Sequence, residues 1–381
     1  MQLPTVPTQG DAPLFALAVD PAHNQVLVAG DSRGALMRST NGGATWTVVH
    51  SGPAPVISIA FNPLQPAQVL AGTRGSGALI SGDGGATWAV TQGLDNREVR
   101  AFGFALTVVV AGTDRGVFVS PDGTIWRPSG LPKVPVSAIA VSAIHIPIRV
   151  VAGSDLPASQ TGPPLYQSLD AGNTWNSLSP GLSGTTIAHV AAGAPLPTGN
   201  VRPLVVGTNA GLFISTDNGV HFIPLSGGIG LPSTDYTQIA FVTTHPDRFY
   251  VASDGGGSGA GGLWATSDMG KHFRTLIPPL RSITALAVSN DESPIIYAAT
   301  FRTADHAAGL WAYHDTGAAP KGPAATPSPV VIQPVAVVDT SLTAQLRQLA
   351  QSSQAPYLAL GGFAILLILL AMVSNLRARR R

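Results

Sequence analysis

Few residues in this chain of 381 are equipped for covalent or metal chemistry. There is no cysteine, which removes disulfides, thiolate nucleophiles and Cys-type zinc sites. The nine histidines are scattered, with no pair spaced by four to face a shared ligand from one helix. They read as turn or rim residues, and neither a metal site nor a cofactor is expected. Only two glutamates occur, Glu98 in a loop and Glu292 in an Asn-Asp-Glu turn, and both read as solvated loop carboxylates. The glycine-rich stretch Gly255–Gly262 joins two apolar runs and opens no helix, so it reads as a flexible loop and not a phosphate cradle. Aspartates remain. Two of them on opposite sides of a glycosidic bond would suffice for its hydrolysis, one as acid and one as base or nucleophile. Six of the eighteen aspartates, however, recur inside one short phrase.

That phrase is Ser39-Thr-Asn41-Gly-Gly43-Ala-Thr45-Trp46, and it returns as Ser81-Gly-Asp83-Gly-Gly85-Ala-Thr87-Trp88. A version one residue shorter, Ser120-Pro-Asp122-Gly123-Thr-Ile-Trp126, comes next. Ser168-Leu-Asp170-Ala-Gly172-Asn-Thr174-Trp175, Ser215-Thr-Asp217-Asn-Gly219-Val-His221-Phe222 and Thr266-Ser-Asp268-Met-Gly270-Lys-His272-Phe273 follow. A decayed seventh copy aligns Asp315 with Asp268, and the Asn/Asp spacings are 42, 39, 48, 47, 51 and 47. Each residue type has a physical task. The Asp or Asn side chain bonds backbone N–H groups just ahead of it and closes a turn. The glycine two residues on supplies a positive φ. The final aromatic opens the next strand and buries a large ring, expected against a neighbouring unit.

Stepping out from the turns, the intervening residues repeat as strands. An apolar alternating run comes first (Leu14–Asp20, Val56–Asn62, Val136–Ser142, Tyr236–Thr243, Ile283–Ser289), then a short run closing on small residues (Gln68–Thr73, Val108–Thr113, Leu204–Thr208 and their equivalents). A third run leads into the phrase and a fourth leaves it. Four strands in a unit of 40–50 residues is the repeat of a β-propeller blade. Composition agrees. With 43 Gly, 32 Pro and only 11% charged residues, the chain suits many short strands and tight turns better than surface helices. The expected fold is an all-β, seven-bladed propeller of four-stranded blades over residues 1–317, six blades being the alternative count. The seventh unit shows no fourth strand of its own, and Gln2–Pro7 or Val330–Val338 is expected to complete it.

The phrase resembles the Asp-box (BNR) repeat, S-x-D-x-G-x-T-W, of sialidase-like propellers. The resemblance implies that Asn41, Asp83, Asp122, Asp170, Asp217 and Asp268 are structural turn residues, on the face away from any active site. Sialidases of this superfamily carry an Arg-Ile-Pro segment, an arginine clamp for the substrate carboxylate and a Tyr/Glu pair, and no Arg-Ile-Pro occurs here. Short blades with modest loops are also similar to the photosystem II assembly-factor group and to sortilin-type propellers, which bind polypeptides. The disulfide-rich module that follows the sortilin propeller has no counterpart. The implied function is non-enzymatic binding of a protein or carbohydrate, or scaffolding of assembly, with no catalytic residue assigned. The alternative is a surface glycoside hydrolase using two loop aspartates, as in the xyloglucanase-like group.

In a propeller, the loops from second to third strands and from fourth to next first strands share the face opposite the repeated turns. The longest of these here are Ser154–Pro164, Ser226–Asp235, Asp254–Gly261 and Phe301–Ala308. They bring Asp155, Asp235, Asp254, Arg302, Asp305 and His306 to one rim, the expected ligand site, because functional residues concentrate on loops carried by a rigid scaffold.

Beyond the propeller, residues 318–340 have a Pro/Ala-rich linker composition that includes the candidate closing strand 330–338, and 341–354 read as a short helix. Residues 357–373 run 17 positions without a charge, near the lower limit for a membrane span, and 374–381 form a basic tail. Arg377, Arg379, Arg380 and Arg381 after the span, against Arg347 before it, put the C-terminus in the cytoplasm and the propeller outside it. Met1–Asp11 has neither the basic region nor the apolar run of a signal peptide, so the outside orientation calls for an upstream start or another export signal, and the alternative is a tail-anchored protein with its propeller inside. A net charge of +1 leaves no basic face for phosphate backbones, so nucleic acid is not an expected partner.

Overall fold

The computed structural model describes residues 12–316, apart from 144–146, 157–164, 179–181, 183–185, 198–200, 226–230, 233, 256–260, 279 and 303–305. The chain divides into a unit Met1–Pro334, which contains every described residue, and a unit Val335–Arg381. The linker, the short helix, the expected membrane span and both candidate closing strands lie outside the described residues. Among those described, no helix is long and apolar enough to cross a membrane.

Twenty-seven strands form seven antiparallel sheets, six of four strands and a last of three described strands, each ordered as the chain runs apart from its direction. This is a seven-bladed propeller. The innermost strands are Leu14–Val19, Val56–Phe61, Val99–Phe104, Val136–Ala143, Ile187–Ala192, Gln238–Phe241 and Ile283–Val288. They pack side by side in chain order, and the last returns to the first. The outermost strands are short, and Ala89–Val90, Arg127–Pro128 and Ile223–Pro224 have two residues each. Brevity and the two prolines blunt edges that would otherwise invite pairing with another chain.

Seven hydrophobic clusters form the core, and each lies on a seam between two blades. Leu70, Phe102, Phe118 and Trp126 join blades two and three, for example, and Leu14, Met37, Tyr297 and Leu310 join blade one to blade seven. The ring is therefore closed by side-chain packing among the described residues. Hydrogen bonds from Asn24 to Asp291 and from the Asn290 N–H to Asn24 Oδ1 (3.1 Å) reinforce that last seam. Seams are tight because the second strands carry glycine where the next blade approaches. A Cβ on Gly72 would stand 2.2 Å from the Val99 carbonyl oxygen, and one on Gly207 would stand 2.2 Å from that of Tyr236.

The repeated turn is built alike in all six complete copies. The leading Ser or Thr hydroxyl accepts the N–H of the glycine at 2.8–3.0 Å. The Asp or Asn oxygen accepts the N–H of Thr45, Thr87, Thr124, Thr174, His221 or His272 at 2.8–3.0 Å. Each of those glycines has a φ of 81–91°. The tryptophan Nε1–H of Trp46, Trp88, Trp126 and Trp175 then donates to the same glycine's carbonyl at 2.9–3.0 Å. As expected, the ring packs on the preceding blade: Trp88 joins the cluster of Val28 and Leu36, and Trp175 also donates to Ser129 O at 2.9 Å. The turn carboxylates are held down by these bonds. Hydrogen bonds from the Thr87 hydroxyl and N–H bring Asp83 to about 2. At Asp217 burial pushes upward, but bonds from His221 and Ser215 outweigh it and also give about 2.

Asp315, aligned with the turn aspartates, does something else. It is 3% exposed and accepts the Tyr250 hydroxyl at 2.5 Å and the Arg274 guanidinium, both from blade six. It pins blade seven to its neighbour.

Candidate functional site

The seven inner strands enclose an axial channel of about 390 Å³. Equivalent positions in the strand registers put Ala16, Ser58, Ala101, Ala138 and Ala285 at one level of its wall, with His189 and Gln238 completing the ring. Small residues from five blades keep the channel open, and two long polar side chains from adjacent blades, five and six, enter it.

One residue nearer the start of these strands, at the mouth facing the second-to-third-strand loops, the lining is uneven. Blades one and two contribute Phe15 and Ile57, blade three Arg100, blade four Ser137 and blade six Thr237. Arg100 belongs to a ladder of charges crossing three blades. The Arg74 guanidinium lies 5.9 Å above the Phe15 ring and 3.5 Å from Glu98. Glu98 in turn is 3.3 Å from Arg100, which reaches Asp155 on blade four at 3.3 Å. A cation–π contact and an ion pair thus place the Arg74 guanidinium between the Phe15 ring and Glu98, and arginine and aromatic side chains are common in protein-binding hot spots.

Placement of the sequence-derived rim residues is mixed. Asp155 stands in the ladder. Asp235 accepts hydrogen bonds from the Thr234 hydroxyl at 2.9 Å, from the Ser253 hydroxyl at 2.8 Å and from the Asp254 carboxyl. Burial pushes Asp235 upward, and those bonds outweigh it, so its carboxyl sits below the usual range. On blade seven Arg302 is exposed, and the His306 ring meets Phe301 edge-on with centroids 6.0 Å apart. Asp305 lies outside the described residues. Three local groups result: Asp155 with Arg100, Asp235 with Asp254, and His306 with Phe301. Two expectations are corrected. Phe301–Ala308 is no long loop, because the ladder pairs Phe301 with Ala308 and Arg302 with Ala307. Glu98 is no solvated carboxylate, because ion pairs with Arg74 and Arg100 leave its side chain 25% exposed. Glu292 is exposed, as expected.

Arg74, Arg100 and His189 were not among the residues singled out from sequence. The available signal was the interruption of the apolar run by Arg100 in blade three and His189 in blade five. His189 Nδ1 is 3.3 Å from both Thr237 O and the Ile239 N, and burial pushes the imidazole below its usual value against the Thr237 bond. Among the described residues no group of three or more His, Asp or Glu side chains is placed to hold a metal ion.

No family model matches the chain, and no curated protein matches it. Solved structures do. One described as YCF48 bound to D1 peptide superposes with a TM-score of 0.56 at 17% identity, over 84% of this chain and 96% of that one. The WD40 β-propeller domain of Doa1 gives a TM-score of 0.60 at 12% identity, over 83% and 97%. An ancestral GH74 enzyme gives 0.47 at 20% identity, over 78% of this chain, which spans only 40% of that enzyme's length. The chain is similar in fold to the first two of these.

Proposed function

We propose that the chain is a non-enzymatic, membrane-anchored Asp-box propeller that binds polypeptide across the channel mouth opposite its repeated turns. The observation that carries this reading is the mouth itself, where Phe15, Ile57 and Arg100 line a concave surface and Arg74 lies 5.9 Å above the Phe15 ring. Aromatic and arginine side chains so placed give large contact area with little entropy to lose. The Ser-x-Asp-x-Gly-x-Thr-Trp turns support the Asp-box assignment. Likeness in fold to a propeller solved with a bound peptide supports polypeptide as the ligand class. Carboxylate geometry argues in the same direction. A glycosidase pair stands about 5–9.5 Å apart to admit substrate or water, and Asp235 is engaged by the Thr234 and Ser253 hydroxyls. Residues 357–373 and the arginines after them support the anchor, with the propeller outside the cytoplasm.

Peptide selection tests it. A random peptide library panned on the full-length protein should enrich sequences whose affinity falls by about ten-fold or more in Phe15→Ala or Arg74→Ala. Enriched peptides indifferent to both substitutions but lost on Ile125→Ser, on the turn face, would overturn the reading.

A further inference from the structure

We infer that the axial channel is a receptor for an uncharged carboxamide, the Asn or Gln side chain of a polypeptide lying across the mouth. The inference rests on the polypeptide-binding reading and adds what the channel selects. Its volume of about 390 Å³ falls in the range of ligand pockets, about 300–1,000 Å³. A channel that served packing alone would be filled by apolar side chains from every blade. Here the level that bears His189 and Gln238 is otherwise alanine and serine, and both residues line the channel.

Polar groups line the channel at and beside that level. The Gln238 side chain is part of the wall, and one residue nearer the mouth Thr237 Oγ1 is buried with no partner. With His189 Nδ1 engaged by Thr237 O or the Ile239 N–H, Nε2 is the nitrogen left for the channel, as acceptor or donor respectively. Ser58 gives its hydroxyl proton to Val99 O at 2.9 Å and Ser137 gives its own to Ile187 O, so both keep lone pairs for a donor. Both senses of hydrogen bond are therefore on offer from blades five and six.

Charge is not. Arg100 is matched by Glu98 and Asp155, and His189 is disfavoured as a cation by burial. A ligand carboxylate or ammonium would enter unpaired, at a cost that uncharged polar groups avoid. Among uncharged groups, a primary carboxamide carries donor and acceptor in one plane and can pair with the Gln238 amide at two points.

The test uses full-length protein with ¹³C-labelled histidine, the His189 resonance being assigned with His189→Gln. Nα-acetyl-glutamine methylamide should shift that resonance saturably at millimolar concentration. The glutamate analogue and glycerol should each bind about ten-fold more weakly or less. Gln238→Leu should abolish the shift. An unsaturating titration, equal binding of the glutamate analogue, or persistence in Gln238→Leu would overturn the inference, and preference for glycerol would make the channel a polyol site instead. Peptides that bind the mouth regardless of Gln238→Leu and of Asn/Gln content would sink the channel role alone. A saturable carboxamide site in a protein that selects no peptide would sink only the polypeptide reading.

Discussion

Adding one methyl group to Gly72 should open a seam of the propeller. Gly72 lies on the second strand of blade two, and a Cβ there would stand 2.2 Å from Val99 O and 2.3 Å from Ser58 Oγ. The serine can rotate. The carbonyl cannot, because it belongs to the inner strand of blade three, so relief requires the two blades to part. Overpacking costs about 1–3 kcal/mol where neighbours can adjust. Displacing Ser58 also threatens its 2.9 Å bond to Val99 O, worth about 0.5–1.5 kcal/mol. Together these amount to about 2–4 kcal/mol, which at about 2–3 °C per kcal/mol lowers Tm by about 4–12 °C. Gly82→Ala is the matched control, since a Cβ at Gly82 meets nothing within 4 Å and its φ is not positive. Calorimetric melts of the two variants beside the parent read the difference. Equal, small shifts in both would refute the idea that close approach at the seams is what requires glycine.

Other perturbations follow from the same geometry. Asp315→Ala removes the acceptor shared by Tyr250 and Arg274. It should cost near the lower end of about 3–5 kcal/mol by denaturant titration, because Arg274 stays partly solvated. Ala171→Gly frees a residue held at φ 62° within its turn and should raise the denaturation midpoint by about 0.5–1 kcal/mol. Asp83 and Asp217 titrate at about 2 in the folded protein, below their unfolded value of about 3.8. Their contribution is fully present above about pH 4 and is lost as pH falls towards 2. Asp83→Asn should therefore lower stability at neutral pH and flatten the acid limb of a pH–stability profile. An unchanged acid limb would show that the turn bonds do not hold that carboxylate down.

How much of this was legible in the sequence depended on how local the cause was. The repeated turn is closed by bonds spanning at most four residues, from Ser81 to Gly85 and from Asp83 to Thr87, so its phrase survives in the sequence and counts the blades. The small residue ending each second strand is likewise local, as in the Thr73 hydroxyl capping Gly77 O at 2.8 Å. The channel and its mouth are not local. They are assembled from inner strands about 40–50 residues apart in sequence, and Arg74, Glu98, Arg100 and Asp155 meet only because the ring curves. Loop length pointed to blades four to seven and caught Asp155, whereas Arg74, Glu98 and Arg100 of the ladder lie on short connections and an inner strand of blades two and three. In blades three and five, alternation was broken by Arg100 and His189, the residues that the channel uses. Local rules failing at a few positions of an otherwise regular repeat is what a functional surface does to a sequence.

The most direct test of polypeptide binding at the mouth is site-specific photo-crosslinking in intact cells. A photoreactive amino acid would be placed at Ile57, beside the channel mouth, and in a separate strain at Val220, on the turn face, 65% exposed. The expected result is discrete polypeptide adducts from Ile57, identified by mass spectrometry and absent from Val220. Adducts from Val220 alone would contradict the account by moving the binding surface to the opposite face.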